Sequence, residues 1–136
     1  TSAGADSPAS LPAAGGEERV VQIIVVRRDL VSAMNWPMGS VIAQACHACV
    51  AVVHEHRDDA DVAAYLAAGN LDAMRKVVKE VKGEPQLRAL AEKLSAEGIA
   101  HRVWLEQPEN FPTAIALKPY PASRVKPLLK KYQLFK

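Results

Sequence analysis

The stretch "VVQIIVV", Val20 to Val26, decides how this chain is read. It is a run of β-branched residues interrupted only by Gln22. Such side chains are stiff at χ1 and pack well on a pleated surface. A strand that is apolar on both faces needs cover on both. This one is therefore expected at the centre of a sheet, with helices above and below it.

Upstream, residues 1–19 are rich in Ala, Gly, Ser and Pro and lack apolar periodicity. They read as a disordered leader, which leaves 20–136 as one folded domain. Nothing in that leader resembles a basic segment followed by an apolar one, so no secretory signal is expected. No apolar run approaches the ~20 residues of a membrane-spanning helix.

Downstream, "RRDLVSAMNWPM" reads as a loop, and Gly39 and Ser40 open a helix to about Glu55. A second helix is expected over Asp59–Ala67, capped by Asp58 or Asp59 and ended by Gly69-Asn70. "MRKVVKEV", Met74–Val81, reads as the second strand. A helix follows from Glu84-Pro85 to Glu97, with Gly98 just past its end and Leu87, Leu90, Ala91 and Leu94 as its apolar stripe. "AHRVWLE" and "TAIALKP" are the third and fourth strands, joined by a short loop with two prolines. A last helix is expected over Ala122–Tyr132, starting late or bending at Pro127. The order β-α-α-β-α-β-β-α points to an α/β layer sandwich whose last two strands are antiparallel. Ligands of open α/β sheets bind beyond the strand carboxyl ends. Here that places Arg27, Arg28, Asp29, Glu106 and Gln107 near the start of the first helix.

That helix carries "SVIAQACHAC", Ser40–Cys49. Steps of three and four put Ser40, Gln44, His47, Ala51 and His54 on one stripe. Val41, Ile42, Ala45, Cys49, Val50 and Val53 form the apolar side, read as a core face. A zinc site needs three or four matched ligands, and Cys46, His47 and Cys49 point in different directions. A redox pair places its first cysteine at a helix N-terminus, and Cys46 lies two turns in. Both cysteines therefore read as small buried hydrophobes, and free thiols point to a reducing, cytoplasmic setting. His47 remains open between a structural histidine and one that works with Gln44 on a ligand. Trp104 reads as core. Trp36, beside Pro37, is a candidate for stacking on a nucleobase. The net charge is +2, but Lys118, Arg124, Lys126, Lys130, Lys131 and Lys136 close the chain with no acid among them. A tail of this kind is either a solvated surface helix or a grip on an anionic partner.

"VVRRDL" followed by "MGSVIAQACHA" resembles the opening of the type II peptidyl-tRNA hydrolases. "WLEQPEN", "IALKPYP" and the terminal "LFK" extend the likeness, closest to the domain-containing branch of that family, over Val20–Lys136. The resemblance implies a three-layer α/β sandwich, with a four-stranded mixed sheet and helices on both faces. It also implies hydrolysis of the ester between a peptide and tRNA, with no metal or organic cofactor. Gln44, His47 and Thr113 match positions at the family's site. The family's helix-start lysine falls on Ser40, and its acid falls at Glu106 or Gln107. Under this reading His47 is the base, Gln44 and Thr113 are donors, and Glu106 is the orienting acid. Ser40, Asp29, Arg27, Arg28, Trp36 and Lys118, with Arg75, Lys76 and the basic tail, hold the tRNA. The competing reading is a module that keeps the fold without the chemistry and binds tRNA, the ribosome or a ubiquitin-like domain. A homodimer is implied by the resemblance alone.

Overall fold

In the computed structural model, which describes residues 18–136, Val20–Arg27 is strand β1, with Val21 to Arg27 all buried. The expectation of a disordered leader falls mostly on residues outside those described. Val21, Ile23 and Val25 join one hydrophobic cluster, and Ile24 and Val26 join another. Alternate strand side chains point to opposite faces, so the unbroken apolar run serves two cores.

β1 is central, as expected. It pairs in parallel with β2 (Lys76–Val81) and antiparallel with β4 (Phe111–Leu117). β4 pairs antiparallel with the outer strand β3 (His101–Glu106), so the order is β2-β1-β4-β3. A two-residue strand, β5 (Tyr120–Pro121), pairs with Val20 and Val21, which makes five strands where four were expected. The register explains the split. Ile24 faces Ala116, whereas Val21 faces Tyr120, so one extra residue interrupts the ladder between them. Pro119, with no N–H to donate, lies in that break.

Helices α4 (Glu84–Ala96) and α5 (Ala122–Leu129) cover the face of Val21, Ile23 and Val25, through Leu87, Leu90, Leu94, Val125 and Leu129. Helix α2 (Met38–Glu55) covers the other face through Val41, Ala48 and Val52. Gly98 follows α4 at φ 71°, the left-handed conformation expected of a residue just past a helix end. No helix among the described residues is long and apolar enough to cross a membrane.

Several local expectations change. The stretch read as a loop contains a four-residue helix, α1 (Asp29–Ser32), whose first turn closes on the Arg28 carbonyl. α2 starts at Met38, and Ser40 lies in its first turn, donating its N–H to the Pro37 carbonyl at 3.0 Å. α3 (Ala60–Leu66) ends before Gly69 and passes into a 3-10 turn, Ala68–Ala73. α5 does not start late at Pro127, and it ends at Leu129 rather than Tyr132. It begins at Ala122 and carries that proline inside, forfeiting the bond Pro127 would have made to the Ser123 carbonyl.

Asp59 caps α3, accepting the Asp61 and Val62 amides at 2.9 and 3.2 Å. It also pairs with the Lys118 ammonium at 3.0 Å, and Asp61 joins at 3.3 Å. Lys118 is only 5% exposed and lies 3.7 Å from the Tyr120 ring centre. The expected tRNA-binding lysine is therefore an internal ion-pair partner. It fastens α3 to the break between β4 and β5.

Burial works to raise the Asp59 carboxyl, but the Lys118 ammonium and the two amides outweigh it and hold the group below its ordinary value. A depressed carboxylate contributes stability that is complete above its unfolded pKa, about 4, and disappears as pH falls through the folded value. Urea midpoints should therefore fall steeply below about pH 4. In Lys118→Met that acid-dependent fall should be shallower, on a protein already less stable at neutral pH.

Candidate active site

The site begins with an irregularity in β4. Trp104 faces Ala114, but its neighbour Leu105 faces Pro112, so Thr113 is the extra residue of a bulge. In a regular strand Thr113 would share a face with Ile115 and Leu117, towards α4. The bulge re-aims it, and its hydroxyl donates to Gln44 Oε1 on α2 at 2.9 Å. The Trp104 carbonyl lies 3.4 Å from the same hydroxyl. Gln44 Nε2 donates to the Ser40 carbonyl one turn back, at 3.1 Å. Gln44 and Thr113 are 2% and 0% exposed. Gln44 was expected to look outward with His47. It turns inward instead, because a threonine hydroxyl in an apolar layer requires a polar partner.

His47 is exposed, one turn along the helix. Its imidazole stacks on the Trp104 indole, with centroids 4.7 Å apart and planes 20° from parallel. The indole Nε1–H donates to Glu106 Oε1 at 3.2 Å. Trp104, read as core, is half-buried and forms the platform for His47. Glu106 does reach the site, but its carboxylate holds the indole. Arg102, on the same face of β3, lies 5.8 Å from the Trp104 ring centre and pairs with Glu55. An exposed imidazole, held flat on an indole, is suited to moving a proton to or from a bound substrate.

Other expected residues lie elsewhere. Arg27 is 5% exposed, and its Nε and Nη2 donate to the two Asp29 carboxylate oxygens, each at 2.9 Å. Its Nη1 donates to the Pro112 carbonyl at 2.9 Å, immediately before the bulge. Arg27 and Asp29 are therefore a clamp on the site's scaffold rather than a free grip on phosphate. Gly83 is where this clamp needs room: a Cβ there would lie 3.0 Å from Asp29 Oδ2. Arg28 donates to the Lys136 carbonyl and lies 4.9 Å from the Phe135 ring centre, so it pins the C-terminus. Trp36 is half-buried against Phe111, with centroids 5.9 Å apart. Ser40 is exposed, seven residues before His47, or about 10 Å along the axis.

The basic residues Arg124 and Lys126 sit on α5, across the sheet from α2. Cys46 is exposed rather than buried, and Cys49 is half-buried. Burial pushes the Cys49 thiol up against the opposing pull of Lys76, which makes it a poor nucleophile. Arg102 was missed. Arg102, Trp104 and Glu106 alternate onto one strand face, but nothing local in the sequence tells which helix lies over that face.

A profile of the family described as "Peptidyl-tRNA hydrolase PTH2" matches residues 20–135. The human protein named "Putative peptidyl-tRNA hydrolase PTRHD1" is 51% identical over 128 residues, covering 93% of this chain and 90% of that protein. The mouse protein of the same name is 52% identical over 118 residues, covering 86% and 83%.

Thr113→Val should leave Gln44 Oε1 buried without a donor. The expected loss is about 1–3 kcal/mol in denaturant unfolding. In the Gln44→Leu background the same change should cost much less, because the two groups act as one pair.

Proposed function

The chain belongs to the PTH2 peptidyl-tRNA hydrolase family, and from that premise we propose that it hydrolyses the ester joining a peptide to the terminal ribose of tRNA. The observation that carries the proposal is the solvent-open imidazole of His47, fixed on an indole that is itself fixed by Glu106. Water attacks the ester carbonyl carbon, and His47 takes the proton that water loses. The carbonyl oxygen becomes an oxyanion. The bond from carbon to the ribose oxygen then breaks, and His47 returns the proton to that oxygen. The products are a peptide acid and free tRNA. A base in position typically contributes ~10²–10⁴ in rate.

The buried pair of Thr113 and Gln44 acts indirectly, by setting α2 and its histidine against β3 and its tryptophan. Arg102, beside the Trp104 ring and paired with Glu55, suits a phosphate of the tRNA end that displaces Glu55. Ser40, about 10 Å away in the first turn of α2, lies where a ribose or phosphate extends while the ester is at His47.

With purified peptidyl-tRNA, His47→Ala should slow release of free tRNA by ~10²–10⁴ while binding stays salt-sensitive. Unchanged release would remove His47 from the reaction. No release by the parent chain, with binding intact, would favour the module without chemistry. Arg102→Ala should weaken tRNA binding and reduce the salt slope by about one.

A further inference from the structure

Among the described residues, the sheet face under α2 is left partly uncovered at its β2 edge. A helix with its side chains is ~10 Å wide, and strands lie ~4.8 Å apart, so four strands need two helices side by side. The opposite face has two, α4 and α5. On this face α2 lies over β4, β3 and the edge of β1, whose Ile24 and Val26 are buried, and the face opens over β2 into a groove of about 780 Å³. Its floor is Ile24, Val26 and Val78. Its wall is the side of α2 that was read as core. Ile42 is 57% exposed there and Val50 70%.

We propose that this groove docks an amphipathic helix of a partner protein, apolar on one face and acidic along its borders. The groove runs beside α2 from Met38 to His54, about 24 Å at 1.5 Å per residue, and reaches Arg57 just past the helix end. That is the length of a helix of about 16 residues and more than a compact small ligand spans. The wall residues Met38, Ile42, Ala45, Cys49 and Val53 recur at steps of three and four, the seam of a helix that expects a helical neighbour. The charged lining residues are Lys76 and Arg57, with His54 beside them and no acid. A second copy docked groove to groove would bring like charges together, so an acidic partner fits better. Residues 1–17 hold one large apolar side chain, Leu11, whereas an apolar helix face of this length needs several. His47 is on the other side of α2, so occupancy leaves the proposed reaction site open.

The test uses the full chain, isotopically labelled, and three synthetic helical peptides of about 18 residues. The first has leucines at helical spacing flanked by glutamates. The second replaces the glutamates with lysines. The third scrambles the first. The acidic peptide should give saturable NMR shifts at the Ile42, Cys49 and Val53 amides and little change at His47. Val50→Glu, at an exposed position, should weaken it at least tenfold while the remaining spectrum stays folded. Arg57→Glu should weaken the acidic peptide and favour the lysine one. Equal binding of all three peptides, or none by the acidic one, would overturn the proposal. So would a parent chain that sediments as a dimer and becomes monomeric as Val50→Glu, which would make the occupant a second copy. Binding to anionic phospholipid vesicles that Val50→Glu abolishes, without peptide binding, would make it a membrane surface and equally defeat the proposal.

Discussion

The hydrogen bond from the Thr113 hydroxyl to Gln44 Oε1, 2.9 Å long and sealed from water, sets where α2 lies on the sheet. Neither group can be left alone in that layer, because an unmet buried polar atom costs about 1–3 kcal/mol. The bond exists only because the strand carries one residue too many at Thr113. Arg27 supports that arrangement from below. It is buried, it holds both oxygens of Asp29, and it donates to the carbonyl of Pro112 beside the bulge. A cation here is stabilised by the carboxylate and carbonyl around it, and without them its burial would cost several kcal/mol. A charged clamp thus positions a neutral pair, and the neutral pair positions the histidine.

The consequence is an α2 with three distinct sides. One packs on Ala114 and Ala116 through Val41, Ala48 and Val52. The second presents His47 to the Trp104 ring on β3. The third, with Ile42 and Val50, borders the open groove over β2. The proposed chemistry and the proposed docking can share one helix because the apolar stripe between them separates their surroundings. The small residues Ala114 and Ala116 help, since they let α2 approach the sheet closely enough for Gln44 to reach Thr113.

Much of the fold was legible in the sequence because local signals agreed with one another. The β-branched run of Val20–Val26, the Asp59 cap, the Leu87-Leu90-Leu94 stripe and Gly98 each have a short-range cause. The site was legible only in part. His47 is exposed on the Trp104 ring, to which Glu106 is bonded, but Gln44 turned inward, since a helix period cannot show a bulge on another strand. Arg27 and Lys118 looked like free cations because their carboxylate partners were not apparent from local pattern. Trp104 looked like core, since a strand period says which residues share a face and not what lies over it. Ile42 and Val50 looked buried for the related reason that an apolar face implies cover without specifying that this chain supplies it.

The central claim is that substrate approaches α2 from the Trp104 side. The direct measurement is NMR shift mapping of the labelled chain with a 3′-peptidylamino-adenosine, whose amide replaces the labile ester. The account predicts saturable shifts at Ser40, His47, the Trp104 indole N–H and Glu106, with the groove wall at Ile42 and Val50 unmoved. Shifts confined to that wall, or none near His47 at saturation, would contradict it.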